Sequence, residues 1–288
     1  MKKLLFNSFF ILPLILLGFK AQAQFSGDTF EKAKESKTAN LTYVYSEAPG
    51  FAANINGEVQ GVCVDVMSDF EFFLLDNYGI TVNSTMEKEH ANNFTSYLNA
   101  IKNSSNGVFG LSNTTITQKR KASYNFSPPY ITNIGMMLSN EALPTLNDIS
   151  KIAEVFAGKK AVTVKGSTNE DQILQIKKKY YPSLTIEYVD SFDEALVAIT
   201  NSTDYFTNID FTYYLDATKS KKPIKRHPAG DQTAEEFGIV MPKNSDWDKP
   251  FQEFLTESYR TSPSYRKIIA NHLGRNALQL LDAVVQEK

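Results

Sequence analysis

Two polar loops and one strand-terminal acid carry the side chains best suited to grip a small charged molecule. The first loop is Asn113-Thr-Thr-Ile-Thr-Gln-Lys-Arg120. Thr115 and Thr117 offer hydroxyls, and Arg120 offers a planar fork that pairs bidentately with a carboxylate. A plainer alternative has Thr117 capping a short helical turn and Arg120 pointing at solvent. The second loop, Lys165-Gly-Ser-Thr-Asn-Glu170, lies between an expected strand and an expected helix. Ser167 and Glu170 have capping-box spacing. The free amides and positive dipole end of such a helix start also suit an anion, so capping alone and anion binding both stand. Asp210 closes an apolar strand, where parallel sheets place ligand groups, although acids at strand ends are also ordinary helix caps.

Signatures of catalysis are missing from the chain. It contains no His-Glu-x-x-His, no Gly-x-Ser-x-Gly, no phosphate-binding glycine loop and no Cys-x-x-Cys. The three histidines, His90, His227 and His272, share no metal-ligand spacing, so neither a metal nor a cofactor is expected. Ser264-Tyr-Arg-Lys267 matches Ser-x-x-Lys but lacks the companion elements of acyl-enzymes. Cys63 is the single cysteine, set between valines without a nearby base, and reads as a buried structural thiol.

The elements that must position these residues alternate. Leu41 to Tyr45 reads as a first strand, Asn54 to Gly61 as a hairpin on Asn56-Gly57, and Asp65 as the cap of a helix with Val66, Phe70, Phe73 and Leu74 on one face. Residues 92–101 read as a helix and 108–111 as a short buried strand. Residues 134–138 are extended and 149–156 helical. Strands at 160–164, 185–189 and 205–209 then alternate with helices at 169–180 and 192–199. Such alternation predicts a mostly parallel sheet with helices on both faces. The Lys/Pro/Gly-rich stretch 219–231 interrupts it, 237–241 returns as one strand, and helices follow at 248–258 and 263–272. Ala277, Leu280, Leu281 and Val284 have helical spacing in the tail.

Lys2 and Lys3, the apolar run from Leu4 to Phe19, and Ala21-Gln22-Ala23 form the pattern of a cleaved signal peptide, residues 1–23. The run is shorter than the ~20 residues that cross a bilayer, which favours export over an anchor. Residues 24–39 read as a polar leader. Cleavage removes three lysines and no acid, leaving 27 basic side chains against 32 acidic ones. That balance argues against nucleic acid as a partner.

Taken in order, the segments resemble bacterial extracellular solute-binding protein family 3, the periplasmic polar amino-acid-binding proteins of ABC importers. The likeness covers about Leu41 to Gly274. It runs through Pro49-Gly-Phe51, Asn56-Gly57 and Gly61-Val-Cys-Val-Asp65. Thr115-Ile-Thr-Gln-Lys-Arg120 leading to Tyr124-Asn-Phe-Ser-Pro-Pro-Tyr130 is the most specific stretch. Residues 158–168, Glu194-Ala-Leu196, Asp210 and Phe237-Gly-Ile-Val-Met-Pro-Lys243 complete the order. Three departures stand out: Val62-Cys63 replaces the usual Phe-Asp, Val108 replaces an acid, and Asn113 replaces a common glycine.

The resemblance implies an α/β, two-lobed, type II periplasmic-binding-protein fold. Each lobe would be a mostly parallel sheet flanked by helices, the two joined by hinge crossovers that close on ligand. Lobe one would be residues 40–135 plus 235–288, and lobe two residues 136–234. Arg120 would clamp the ligand's α-carboxylate with Thr115 and the helix start at Ser167 and Thr168. Asp210 would receive the α-ammonium, with the backbone around Asn113 as a second acceptor. Phe51 would wall the pocket, and Tyr45 and Glu47 would read the side chain. The implied protein is a periplasmic, monomeric, non-enzymatic binder of a small amino-acid-like molecule serving an ABC permease. Two alternatives share the fold: a cyclohexadienyl (prephenate or arogenate) dehydratase, for which Glu47 is the one candidate acid, and a free-standing envelope or sensory binding module.

Overall fold

The computed structural model describes residues 25–232 and 235–286, so the signal-peptide reading of 1–23 lies outside the described residues. Two five-stranded sheets organise the chain. The first runs Thr81–Glu87, Thr38–Tyr45, Val108–Leu111, Val240–Pro242, Tyr124–Phe126. The second runs Thr185–Val189, Lys160–Val164, Tyr205–Asp210, Gly135–Asn140, Ile224–Arg226. In each, four strands run in one direction and only the fourth runs against them. Each sheet is thus mostly parallel, as the alternation of strands and helices predicts. The parallel strands direct their C-terminal ends at the space between the sheets. Gly135–Asn140 enters from that same end, opposite Asp210, so it must run the other way. A two-stranded ribbon, Ile131–Asn133 against Glu235–Phe237, joins the halves.

Local chemistry explains the elements that flank the site. Asn56 and Gly57 both have positive φ, 55° and 94°, as a two-residue hairpin turn between Ala53–Ile55 and Glu58–Gln60 requires. The helix Val62–Tyr78 begins three residues before Asp65, with Gly61 and not Asp65 as its N-cap. Only glycine fits there, since a Cβ would meet the Phe51 carbonyl oxygen at 2.3 Å. The helix buries Val62, Cys63, Val66, Met67, Phe70 and Leu74. Phe70 stacks on Phe251 at 4.1 Å between centroids, beside Trp247, and this aromatic group anchors the first core. Met137, Leu146, Phe156, Ile173 and Phe206 centre the second. Cys63 is the structural thiol expected from sequence. It is fully buried, within 3.3 Å of the Tyr130 hydroxyl, and burial pushes its pKa up to about 12.

Several sequence expectations need correction. Residues 24–39 are not a leader apart from the core: Phe30–Ser36 is a helix capped by Thr29, and it buries Phe30 and Ala33. Phe30 packs edge-on to Tyr78 and against Trp247, each at 5.2 Å. Its lysines turn outward, so the polar average hid one apolar stripe. The single strand expected at 237–241 is two, because Glu235–Phe237 belongs to the ribbon and Val240–Pro242 to the first sheet. The expected helix 248–258 is likewise two, Asp248–Phe254 and Glu257–Thr261. Thr81–Glu87 and the helix Phe211–Lys219 had no sequence counterpart. The strand is a largely exposed edge and so lacks an apolar alternation. The tail helix Arg275–Gln286 packs on Pro263–Leu273 through Ala277, Leu278 and Leu281. Among the described residues no helix is long and apolar enough to cross a membrane.

Candidate functional site

The loops after Val108–Leu111 and Lys160–Val164, the end of Tyr205–Asp210, and the joining ribbon all meet in the space between the sheets. The first loop splits its residues between a cap and the cleft. Thr117 caps the helix Gln118–Lys121, accepting the Arg120 backbone N–H at 3.1 Å. The Arg120 side chain nevertheless turns inward and is buried. Its Nη1 donates to the Thr115 carbonyl at 2.9 Å and its Nη2 to the Gly166 carbonyl, across the cleft, at 3.2 Å. The guanidinium lies 5.4 Å over the Phe94 ring. Burial lowers the guanidinium pKa, and the charge of Glu235 works against that.

The second loop divides its residues between two tasks. Ser167 is the N-cap of Thr168–Lys179: it accepts the Glu170 N–H at 3.0 Å and donates to the Val164 carbonyl at 2.6 Å. The Glu170 carboxylate in turn accepts the Gly166 N–H at 2.6 Å. Thr168 instead points across the cleft. Its Oγ1 is 3.3 Å from Thr115 Oγ1, and both hydroxyls donate to Glu235 Oε2 at 3.2 Å.

Asp210 is almost completely buried and ringed by amides. Asn113 Nδ2 donates to its Oδ2 from the other side of the cleft. Asn133 and Asn169 donate to its Oδ1 at 3.0 and 3.4 Å. Ser112 Oγ donates to Asn113 Oδ1 at 2.9 Å, which fixes the direction of that amide. Burial, with the charge of Glu235 added, pushes the Asp210 pKa up to about 7 despite the three donors.

The remaining candidates sit nearer the first core. Phe51 is fully buried, edge-on to Tyr130 and Phe237 at 6.1 and 5.5 Å. Tyr45 is buried and donates to Glu47 Oε1 at 3.3 Å. The Glu47 carboxylate also accepts the Asn54 N–H at 3.1 Å, which ties it to the hairpin, while its carbonyl accepts the Tyr213 hydroxyl at 3.4 Å.

Sequence reading missed Glu235, Asn133 and Asn169. Glu235 and Asn133 are register partners in the ribbon, so their side chains share a face. Two successive acids directly ahead of Phe237 were the available signal. Further bonds cross the cleft at its rim, Asn93 Nδ2 to Asp190 Oδ1 at 2.9 Å and Thr95 Oγ1 to the Lys165 carbonyl at 3.2 Å. A cavity of about 440 Å³ opens there, lined in part by Asn93, Thr95, Lys165 and Asp190. A groove of equal volume behind the ribbon, against Tyr130, Arg260, Tyr265 and Leu278, contains none of the candidate residues. Among the described residues no His/Cys/Asp/Glu group could hold a metal ion.

No protein-family model matches the chain. Among curated proteins it is 24% identical over 211 residues to the membrane-bound lytic murein transglycosylase F of Pseudomonas putida strain KT2440. That match takes in 67% of this chain and 40% of the relative, so the chain spans well under half the length of the curated protein it matches. Solved structures align along almost their whole length. The arginine-, lysine-, histidine-binding protein ArtJ of Geobacillus stearothermophilus shares 20% identity at a TM-score of 0.66, covering 82% of this chain and 96% of that one. A putative ABC-transporter binding component of Wolinella succinogenes, complexed with lysine, shares 17% at 0.65, covering 83% and 98%. The GluR0 ligand-binding core of Nostoc punctiforme, in complex with L-glutamate, shares 18% at 0.62, covering 81% and 99%. At these identities the likeness concerns architecture, and on that ground the chain has the two-lobed, type II periplasmic-binding-protein fold.

Proposed function

We propose that the protein is an exported solute-binding protein that captures a small amino-acid-like ligand between its lobes and releases it unchanged. One arrangement carries this reading. Hydroxyls and a guanidinium from both lobes, Thr115, Thr168 and Arg120, converge in the cleft, and a buried acid, Asp210, stands in the same cleft beside Asn113 and Asn169. Donors and a buried acceptor brought together in this way match a zwitterion, whose charges have fixed spacing. In this reading Arg120, Thr115 and the Thr168 helix start hold the α-carboxylate. Asp210 and Asn113 hold the α-ammonium, and Ser167 keeps the helix start in place. Phe51, Tyr45 and Glu47 shape the wall behind the side chain.

Lobe one, residues 40–135 with 235–288, and lobe two between them would open about the ribbon, with Ile131–Asn133 and Glu235–Phe237 as hinges. The segment 1–23 would direct export to the periplasm, and an ABC permease would take the cargo from a monomeric binder. The structural relatives that bind arginine, lysine, histidine or glutamate support this class of ligand. The transglycosylase match favours a second reading, a free-standing envelope module that recognises cell-wall fragments.

A thermal-shift screen of the purified protein against amino acids, short peptides and wall-derived fragments separates the two. A ligand at a hundredfold excess over its Kd raises stability by about 2.7 kcal/mol. A shift with amino acids supports the first reading. A shift confined to wall fragments replaces it with the second.

A further inference from the structure

The centre of the cleft has more acceptors than donors. Asp210 is buried and Glu235 half-buried, and the charge of Glu235 adds to the burial that raises the Asp210 pKa. Asn133 is fully buried, and its Oδ1 has no hydrogen-bond partner. Arg120, whose charge acts on Glu235, directs its two Nη atoms at backbone carbonyls. Glu235 also stands in a telling place. Its Oε2 takes the hydroxyls of Thr115 and Thr168, the groups assigned above to a ligand carboxylate.

We propose that Glu235 is the specificity-determining residue of the cleft, using its own carboxylate at the threonine pair so that the site selects ligands of net positive charge. The inference rests on the binding reading above. A neutral zwitterion brings one acceptor-only end and one donor end, and leaves the surplus of acceptors standing. A ligand with an additional ammonium or guanidinium supplies the missing donors to Asp210, Glu235 and Asn133 Oδ1, and balances the second carboxylate. An acidic ligand adds a third carboxylate and is excluded by like-charge repulsion.

Isothermal titration tests this with wild-type protein, Glu235→Gln and Glu235→Thr. The probes are L-arginine, its decarboxylated amine agmatine, L-glutamine and L-glutamate, at about pH 8, where a free carboxylate is ionised. Wild type is expected to bind the two cationic probes at least about tenfold more tightly than glutamine, with glutamate weakest. Both variants are expected to lose at least about tenfold of that preference, chiefly through tighter glutamine binding. An unchanged preference in variants that still bind overturns the role of Glu235 and leaves the binder reading intact. Glutamate as the best wild-type ligand overturns the charge class. Silence from all four probes in all three proteins overturns the binding reading and this inference with it. Should neither variant fold, as judged by circular dichroism, the order of the four wild-type affinities alone still decides the class.

Discussion

His227 and Asp210 are both buried ionisable groups in the half of the molecule built on the second sheet, and their surroundings differ in kind. His227 lies in the second core beside Phe156, with ring centroids 5.1 Å apart. Its Nδ1 accepts the Leu146 N–H at 3.0 Å, which leaves Nε2 protonated to meet Ser139 Oγ at 2.7 Å. Each ring nitrogen has one partner in the neutral form, and burial with nearby Lys225 lowers the pKa to about 4. Asp210 has three donors, yet it shares its cluster with a second carboxylate and an orphaned amide oxygen. A fully matched polar group belongs to the scaffold, whereas a cluster with unmatched capacity is arranged for something that brings the missing charge.

Substitutions can break or sharpen that contrast. Arg120→Ala should have the largest effect, since it removes the cation that acts on Glu235 and both of its bonds to carbonyls on opposite cleft walls. A loss of about 3–5 kcal/mol is expected, together with most ligand binding, measured by urea melts and titration. A binding loss below about 1 kcal/mol would sink the assignment of Arg120 to the carboxylate. His227→Ala should cost about 2–3 kcal/mol by stranding the Leu146 N–H and Ser139 hydroxyl, while leaving the order of ligand affinities as in wild type. A changed order would erase the distinction between scaffold and site.

The pH profile sharpens it further. With its raised pKa, Asp210 keeps a proton in the fold that the unfolded chain has released, so its stability contribution is full below about 3.8 and lost as pH rises to about 7. With its lowered pKa, His227 contributes above about 6.5 and loses that contribution as pH falls to about 4. The two slopes oppose one another between about 4 and 6.5, each at most about 1.4 kcal/mol per pH unit. Asp210→Asn should therefore uncover stability rising with pH across that window, and it should weaken binding of amines more than of ligands lacking one. Thermal melts from about pH 4 to 8 check the first, and an unchanged profile would refute the burial assigned to Asp210. The smallest effect is expected for Ser167→Ala, about 1 kcal/mol from the lost cap with little change in ligand order.

Legibility followed range. Ser167 with Glu170, Thr117, and Asn56-Gly57 were readable because caps and tight turns are made by residues within four positions of each other. The motif order from Thr115 to Asp210 announced the fold, since the loops after parallel strands hold ligand groups in this architecture. The ribbon was harder. Glu235 stands 120 positions from Thr115 and 67 from Thr168, so the two acids ahead of Phe237 were a signal that named no partner. Arg120 was readable as a candidate, but its commitment to the Thr115 and Gly166 carbonyls was not. Phe30 shows the same limit in a core, where one aromatic among lysines gains meaning only beside Trp247.

By itself, then, the sequence determined the alternation of strands and helices, the caps and turns, and the set of polar residues placed at strand ends. Local sterics and hydrogen bonds act over a few residues and need no partner from elsewhere in the chain. Only the tertiary structure decided which of those groups face one another, that Asn113 meets Asp210 across the cleft, and that Glu235 rather than any loop residue closes on the two threonines. Burial and charge pairing depend on distances through space, and those are set when two lobes separated by a ribbon are brought into contact.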